Sequence, residues 1–167
     1  MSKPYKIPES VLVVIYSANL DVLLIERADK EGYWQSVTGS KDTQDEPLIE
    51  TAVREVFEET GIRIVDEASA HERDANSVPV ASLRDWHLSN IYEIYPVWRH
   101  RYAPGVFTNT EHVFGLLVPR DIAVTLAPRE HVDHLWLPYR EAADKCFSPS
   151  NAEAILQLPK HARHAGT

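Results

Sequence analysis

Three glutamates, Glu55, Glu58 and Glu59, fall within the short segment REVFEETGI. Carboxylates at i, i+3 and i+4 share one side of a helix, where they repel one another. At about 6 Å two such charges cost roughly 0.7–3 kcal/mol between bulk-water and surface dielectrics. Acidic groups near the C-terminal end of a helix also oppose its macrodipole. A solvated acidic face is the plain explanation. The sharper one is a hard divalent cation, Mg²⁺ or Mn²⁺, held through oxygen ligands that otherwise repel. Glu55 and Glu59, one turn apart, are the leading metal ligands. Glu58 is a third ligand or the group that orients or deprotonates water, and Arg54 pairs with neighbouring carboxylates to fix their rotamers. Glu111, in NTEH, is a candidate for a further ligand or general base. Such a set supports attack of water on phosphorus.

These residues need a helix to carry them. Leu48, Ile49, Ala52, Val53, Val56 and Phe57 recur at the three- and four-residue spacing of an amphipathic helix. Asp45 is its expected N-cap, Pro47 fits its first turn, and Gly61 stands where a left-handed C-cap belongs.

From Gly39 to Ile62 the chain resembles the Nudix box: Gly, a spacer, Glu, seven residues, then Arg-Glu-aliphatic-x-Glu-Glu-x-Gly-aliphatic. Glu46, Arg54, Glu55, Val56, Glu58, Glu59, Gly61 and Ile62 match it in type and spacing. Gly39 lies seven residues before Glu46, one more than the family pattern, and a loop absorbs that at small entropic cost. The resemblance implies an α/β/α sandwich with a mixed central sheet. It also implies a pyrophosphohydrolase that uses Mg²⁺, with Mn²⁺ able to substitute. From about Tyr5 to Trp136 the segments VLVVIY, WQSVTGS, REVFEETGI and above all HRYAPGVFTNTEH resemble the subgroup acting on dihydroneopterin triphosphate. That likeness implies release of pyrophosphate to leave the monophosphate, a step of folate synthesis, and a metal-binding role for Glu111. It implies substrate contacts from Lys6, Arg27 and Thr38, and from Tyr92, Glu93, Ile94 and Tyr95 along the wall of a base or pterin pocket.

Those assignments make physical sense. Lys6 and Arg27 are cations suited to phosphates, Arg27 by a two-pronged contact. Tyr92 or Tyr95 can stack on a flat heterocycle whose edge a carboxylate or backbone group reads. Two alternatives share the same carboxylates: a hydrolase of dNTPs or dinucleoside polyphosphates, and a binding module of the same fold without turnover. The second is expected to lose helix carboxylates, and all three are present.

The whole chain sets outer bounds. Its 167 residues fit one domain, taken as 1–158, with 159–167 as a disordered tail. A net charge of −8 argues against a broad nucleic-acid surface, so the expected partner is a small triphosphate. The start MSKPYKIPES lacks the apolar core of a signal peptide and no run is long enough to span a membrane, which points to the cytoplasm. Oligomeric state is not legible. Cys146, the single cysteine, reads as an inert buried thiol. His131 and His134 are too few for a zinc site and read as structural. Trp34, Trp86, Trp98 and Trp136 read as core or surface anchors.

The expected strands are Val11–Tyr16, Val22–Ile25, Trp34–Thr38, Ile62–Val65, Ile91 to Pro96, Val113–Val118 and His134–Leu137. Residues 66–90 read as a surface excursion, with a possible strand at Val78–Leu83. Helices are expected from Pro138 to about Cys146 and from a cap at Ser150 to about Leu158.

Overall fold

Every residue of Val11–Tyr16 is buried, as a strand covered on both faces must be. In the computed structural model, which describes residues 4–66 and 75–165, this run is the centre of strand β1 (Glu9–Tyr16). Alternate residues serve two cores. Val11, Val13 and Ile15 pack with Ala52 and Val56 of helix α1 (Leu48–Thr60), whereas Leu12, Val14 and Tyr16 face the C-terminal helices. Those helices are α2 (Tyr139–Lys145), α3 (Pro149–Leu156) and α4 (Leu158–Ala165). The result is an α/β/α sandwich around a mixed sheet, as the resemblance implied.

The sheet splits beside β1, and the split makes room for the site. Strand β2 (Asp21–Arg27) meets β1 at the Tyr16–Val22 pair. Strand β3 (Trp34–Gln35) pairs antiparallel with β2, and after Ser36 the chain becomes β4 (Val37–Ser40), paired antiparallel with β1. The run WQSVT is therefore two strands that change partner at Ser36, not one. Asn151 of α3 holds the crossing: its Oδ1 accepts from the Ser36 backbone N–H at 2.8 Å, and its Nδ2 donates to Ser36 Oγ at 3.0 Å. Along its other edge β1 pairs in parallel with β8 (Thr108–Leu117), and β8 pairs antiparallel with the edge strand β7 (Leu83–Glu93). Strand β9 (His131–Pro138) runs antiparallel to β2. A separate parallel pair joins β5 (Arg63–Val65) to β6 (Ser77–Pro79).

Several expectations are corrected. Asp45 does not cap α1: the helix starts after Pro47, with no side-chain cap, and Asp45 instead accepts from Thr43 Oγ1 at 2.9 Å. Gly61 does take the left-handed conformation at the other end (φ 74°). Ile49 and Phe57 are 43% and 53% exposed, so the buried stripe of α1 is narrower than its pattern. Residues 83–90 belong to β7 rather than to a surface excursion, and β7 stops at Glu93 because Pro96–Arg101 winds into a 3₁₀ helix. Ser148, not Ser150, caps α3, accepting from the Asn151 N–H. The segment from residue 159 to Ala165 is helical, anchored by buried Leu158 and by His161 stacked on Trp86 at 4.4 Å. Lys3, read as part of a frayed arm, and residues 67–74 of the expected excursion lie outside the described residues. No helix among the described residues is long and apolar enough to cross a membrane.

Candidate active site

Helix α1 lies against β4, and Gly39 makes the close approach possible. A Cβ at position 39 would land on the Glu55 carboxyl, so any other residue there would push that carboxylate away. On the next turn, Glu59 is 4% exposed and its Oε2 accepts from the Thr38 backbone N–H at 3.1 Å. Burial raises the Glu55 carboxyl to about 7 and the Glu59 carboxyl well above its usual range, and the charges of neighbouring glutamates push both further in that direction. Two carboxylates that resist ionisation side by side are suited to a cation that restores the balance.

Arg54 fixes the outer side of this pair. Its guanidinium contacts Glu55 Oε1 at 2.8 Å, Glu46 Oε1 at 3.0 Å, Asp42 Oδ2 at 3.1 Å and Glu58 Oε2 at 3.5 Å, and it donates to the Ser40 carbonyl at 2.9 Å. Arg54 therefore positions carboxylates, as its spacing suggested. Glu46 also accepts from Thr51 Oγ1 at 2.6 Å and the Asp42 N–H at 3.1 Å. The Arg54 guanidinium, first among these donors, holds the Glu46 carboxyl near 2. Glu58 is the outlying member, exposed at the edge with the Arg54 contact.

A cavity of about 670 Å³ opens in front of these elements. Its lining includes all seven expected substrate contacts, Lys6, Arg27, Thr38, Tyr92, Glu93, Ile94 and Tyr95, together with Glu59 and Glu111. Gly39 is also on the wall, and through it Glu55 adjoins the cavity. Arg27 is forked onto Asp29 at 2.8 and 2.7 Å and lies over the Trp98 ring at 5.0 Å, which Arg101 also approaches at 5.9 Å. Lys6 is bound through its backbone N–H to the Arg101 carbonyl at 2.8 Å. Burial first, and then Arg101, lower its ammonium pKa. Crowded cations of this kind fit an incoming polyanion. Trp98 is thus a wall residue, not the core or surface anchor expected.

The structure adds Glu130 and His131 to the carboxylate group. One ligand atom from each of Glu59, Glu130 and His131 lies within 4.8 Å of the others. His131 Nε2 stands 3.7 Å from Glu59 Oε1, and burial keeps the imidazole neutral by lowering it to about 4. Its Nδ1 is buried with no hydrogen-bond partner among the described residues. His131 was expected to be purely structural, whereas it belongs to the wall; exposed His134 does not. The charge of Glu130 is felt at both Glu55 and Glu59. Glu111, expected as the added ligand or general base, is buried and lines the same cavity, with its Oε1 3.5 Å from Ser150 Oγ. Glu130 is a further carboxylate beside Glu59 that the sequence reading missed. The only sequence signal was the Glu-His pair ahead of the last strand.

The sandwich, the box on α1 and the carboxylate group define a class. The chain matches the NUDIX domain model over residues 6–158 and belongs to that family of hydrolases, which are generally dependent on divalent metal. It is 39% identical over 157 residues to the dihydroneopterin triphosphate diphosphatase of Escherichia coli (strain K12), covering 93% of this chain and 95% of that one. The Haemophilus influenzae protein of the same name is 36% identical over 152 residues, covering 90% and 87% respectively. Among solved structures, the E. coli dihydroneopterin triphosphate pyrophosphohydrolase superposes with a TM-score of 0.76 at 38% identity, over 95% of this chain and 99% of that one.

The close fit at position 39 gives one expected result. Gly39→Ala should leave the fold intact and lower kcat/KM about 100-fold, because a displacement of about 1 Å at a reacting centre costs that much. Steady-state kinetics with a circular-dichroism melt would check it, and full activity would mean that the Glu55 position is not critical.

Proposed function

We propose that this protein hydrolyses dihydroneopterin triphosphate to the monophosphate and pyrophosphate, with Mg²⁺ bound, in the cytoplasm. The supporting observation is one cavity whose wall joins the α1 carboxylate region, a cluster of cations and the aromatic strand end Tyr92–Tyr95. Near-full-length likeness to proteins named for that substrate supports the same reading.

In this reading Glu55, Glu59 and Glu111 hold the cation, with Glu130 as a further oxygen donor beside Glu59 and with Arg54 and Glu46 keeping Glu55 in place. All are oxygen donors, the preference of Mg²⁺, and Mn²⁺ fits them as well. When bound, the cation screens phosphate charge, acidifies water and stabilises the departing oxygen. Lys6, Arg27 and Arg101 receive the remaining phosphate charge. The Thr38 backbone, by donating to Glu59, fixes one oxygen, while the other lies 3.7 Å from His131 Nε2. Glu58, exposed beside Arg54, takes the role of orienting or deprotonating the attacking water. Tyr92 and Tyr95 line the heterocycle's space with Glu93 and Ile94.

The test is a comparison of substrates. Purified protein with Mg²⁺ should release pyrophosphate from dihydroneopterin triphosphate with at least about tenfold higher kcat/KM than from dATP, a difference of about 1.4 kcal/mol in transition-state binding. Equal or reversed rates would replace this reading with a general nucleotide hydrolase.

A further inference from the structure

The 3₁₀ helix Pro96–Arg101 stacks side chains in a column beside the cavity. A 3₁₀ turn has three residues, so positions i and i+3 eclipse one another. Tyr95, Trp98 and Arg101 stand at that spacing, and Pro96 fixes the first turn. The Trp98 N–H donates to the Tyr95 carbonyl at 2.8 Å, and the two rings meet edge to face at 5.3 Å. Trp98 is half-buried, and two guanidinium groups approach its ring. Arg101 comes from the same helix at 5.9 Å, and Arg27 from the end of β2 at 5.0 Å. Two like charges converging on one wall repel. An indole face draws both in, because its negative quadrupole attracts a cation within about 6 Å. Arg27 is held from a second direction: Asp29 takes Nε and Nη2 at 2.8 and 2.7 Å, so Nη1 stays outside that fork. Lys6 joins the same group, bonded through its backbone to Arg101 and lying over the Tyr102 ring at 5.8 Å.

We propose that Trp98 is a positioning residue for polyphosphate binding: its indole gathers Arg27 and Arg101 at one place on the wall before the ligand arrives. Without it the two guanidinium groups lose the face they share and drift apart under their own repulsion. A polyanion then has to draw them together as it binds, and that ordering weakens the complex. Trp98 acts through the arginines, so its contribution is felt alike in the bound substrate and at the transition state. This assignment rests on the proposed function in taking a polyphosphate at this wall, and it is indifferent to the heterocycle that the polyphosphate carries.

The experiment uses inorganic tripolyphosphate, which has the phosphates and no ring, as an inhibitor at excess Mg²⁺. Trp98→Leu should raise its inhibition constant about tenfold, the worth of two cation–ring contacts, and should raise substrate KM in step with little change in kcat. Trp98→Phe keeps an aromatic face and should stay within about threefold of wild type. In an Arg27→Gln background the leucine substitution should cost at most about threefold, since one of its two partners is already gone. Trp98→Met carries the test should the leucine variant not fold. Inhibition unchanged in both non-aromatic variants would overturn the proposal. So would a full tenfold loss that persists beside Arg27→Gln, or a fall confined to kcat, either of which would mark Trp98 as a merely structural residue. A wild type that prefers dATP to dihydroneopterin triphosphate would remove the proposed substrate, and the tripolyphosphate response would still decide this inference.

Discussion

Replacing Glu59 by Gln should abolish nearly all turnover while making the metal-free protein no less stable. Gln keeps the shape and can still accept from the Thr38 N–H. What it loses is the negative charge, in a group buried against β4 and shared with Glu130 and His131. If the cation is what renders the phosphorus open to water, kcat should fall about 10³-fold, or ~4 kcal/mol at the barrier. Stability should move the other way or not at all, because a buried carboxylate held above its usual range is a liability at neutral pH. The decisive pair of measurements is initial rate at saturating Mg²⁺ and Tm in EDTA at pH 8. Undiminished turnover would remove Glu59 from the site, whereas a large drop in Tm would mark it as a folding residue.

Stability should also fall as pH rises, and Mg²⁺ should reverse the fall. Glu55 and Glu111 both have folded pKa values near 7 against an ordinary 4.5, so between those limits the folded chain holds more protons than the unfolded one. With more protons on the folded side, stability decreases with pH across that window and levels off above it. A shift of this size is worth up to about 3 kcal/mol per group, or a Tm loss on the order of 5–10 °C between pH 5 and pH 8. Glu46 has the opposite sign: held near 2, it stabilises above pH 4.5 and that contribution is lost only as pH falls toward 2. A divalent cation binds the ionised carboxylates, so it should raise Tm at pH 8 and do little at pH 5. Glu55→Gln should flatten both responses. A Tm that holds or climbs from pH 5 to pH 8 in EDTA would show that these carboxyls are not buried as described.

Local signals accounted for what the sequence made legible. Pro47, Gly61 and the three-four spacing located α1 because helix period and end chemistry are written in adjacent residues. Uniformly apolar β1 and β2 were visible because both their faces are covered. Most of strand β7, ahead of Ile91, was not, since it is a mostly exposed edge whose period is broken at a bulge where His87 has φ 56°. Glu130 was invisible for another reason. Its place beside Glu59 depends on β9 pairing with β2 through a register shift at Glu26/Arg27, a contact between residues about 100 positions apart. Helix α4 was misread from its polar, basic composition, and what orders it is a partner elsewhere, Trp86. Arg54 was read correctly because its partners Glu55 and Glu58 lie within one turn.

The Asn151–Ser36 clasp has a bearing on when this enzyme can first work. Residue 36 leaves the ribosome more than a hundred residues ahead of residue 151, and until the later one arrives the Ser36 N–H at the crossing has no such acceptor. Ser148 and Ser150, which complete the same wall, are synthesised alongside it. A nascent chain therefore carries its acidic helix long before it owns a pocket, and hydrolytic competence should switch on only once residue 151 has been made and folded back onto the crossing.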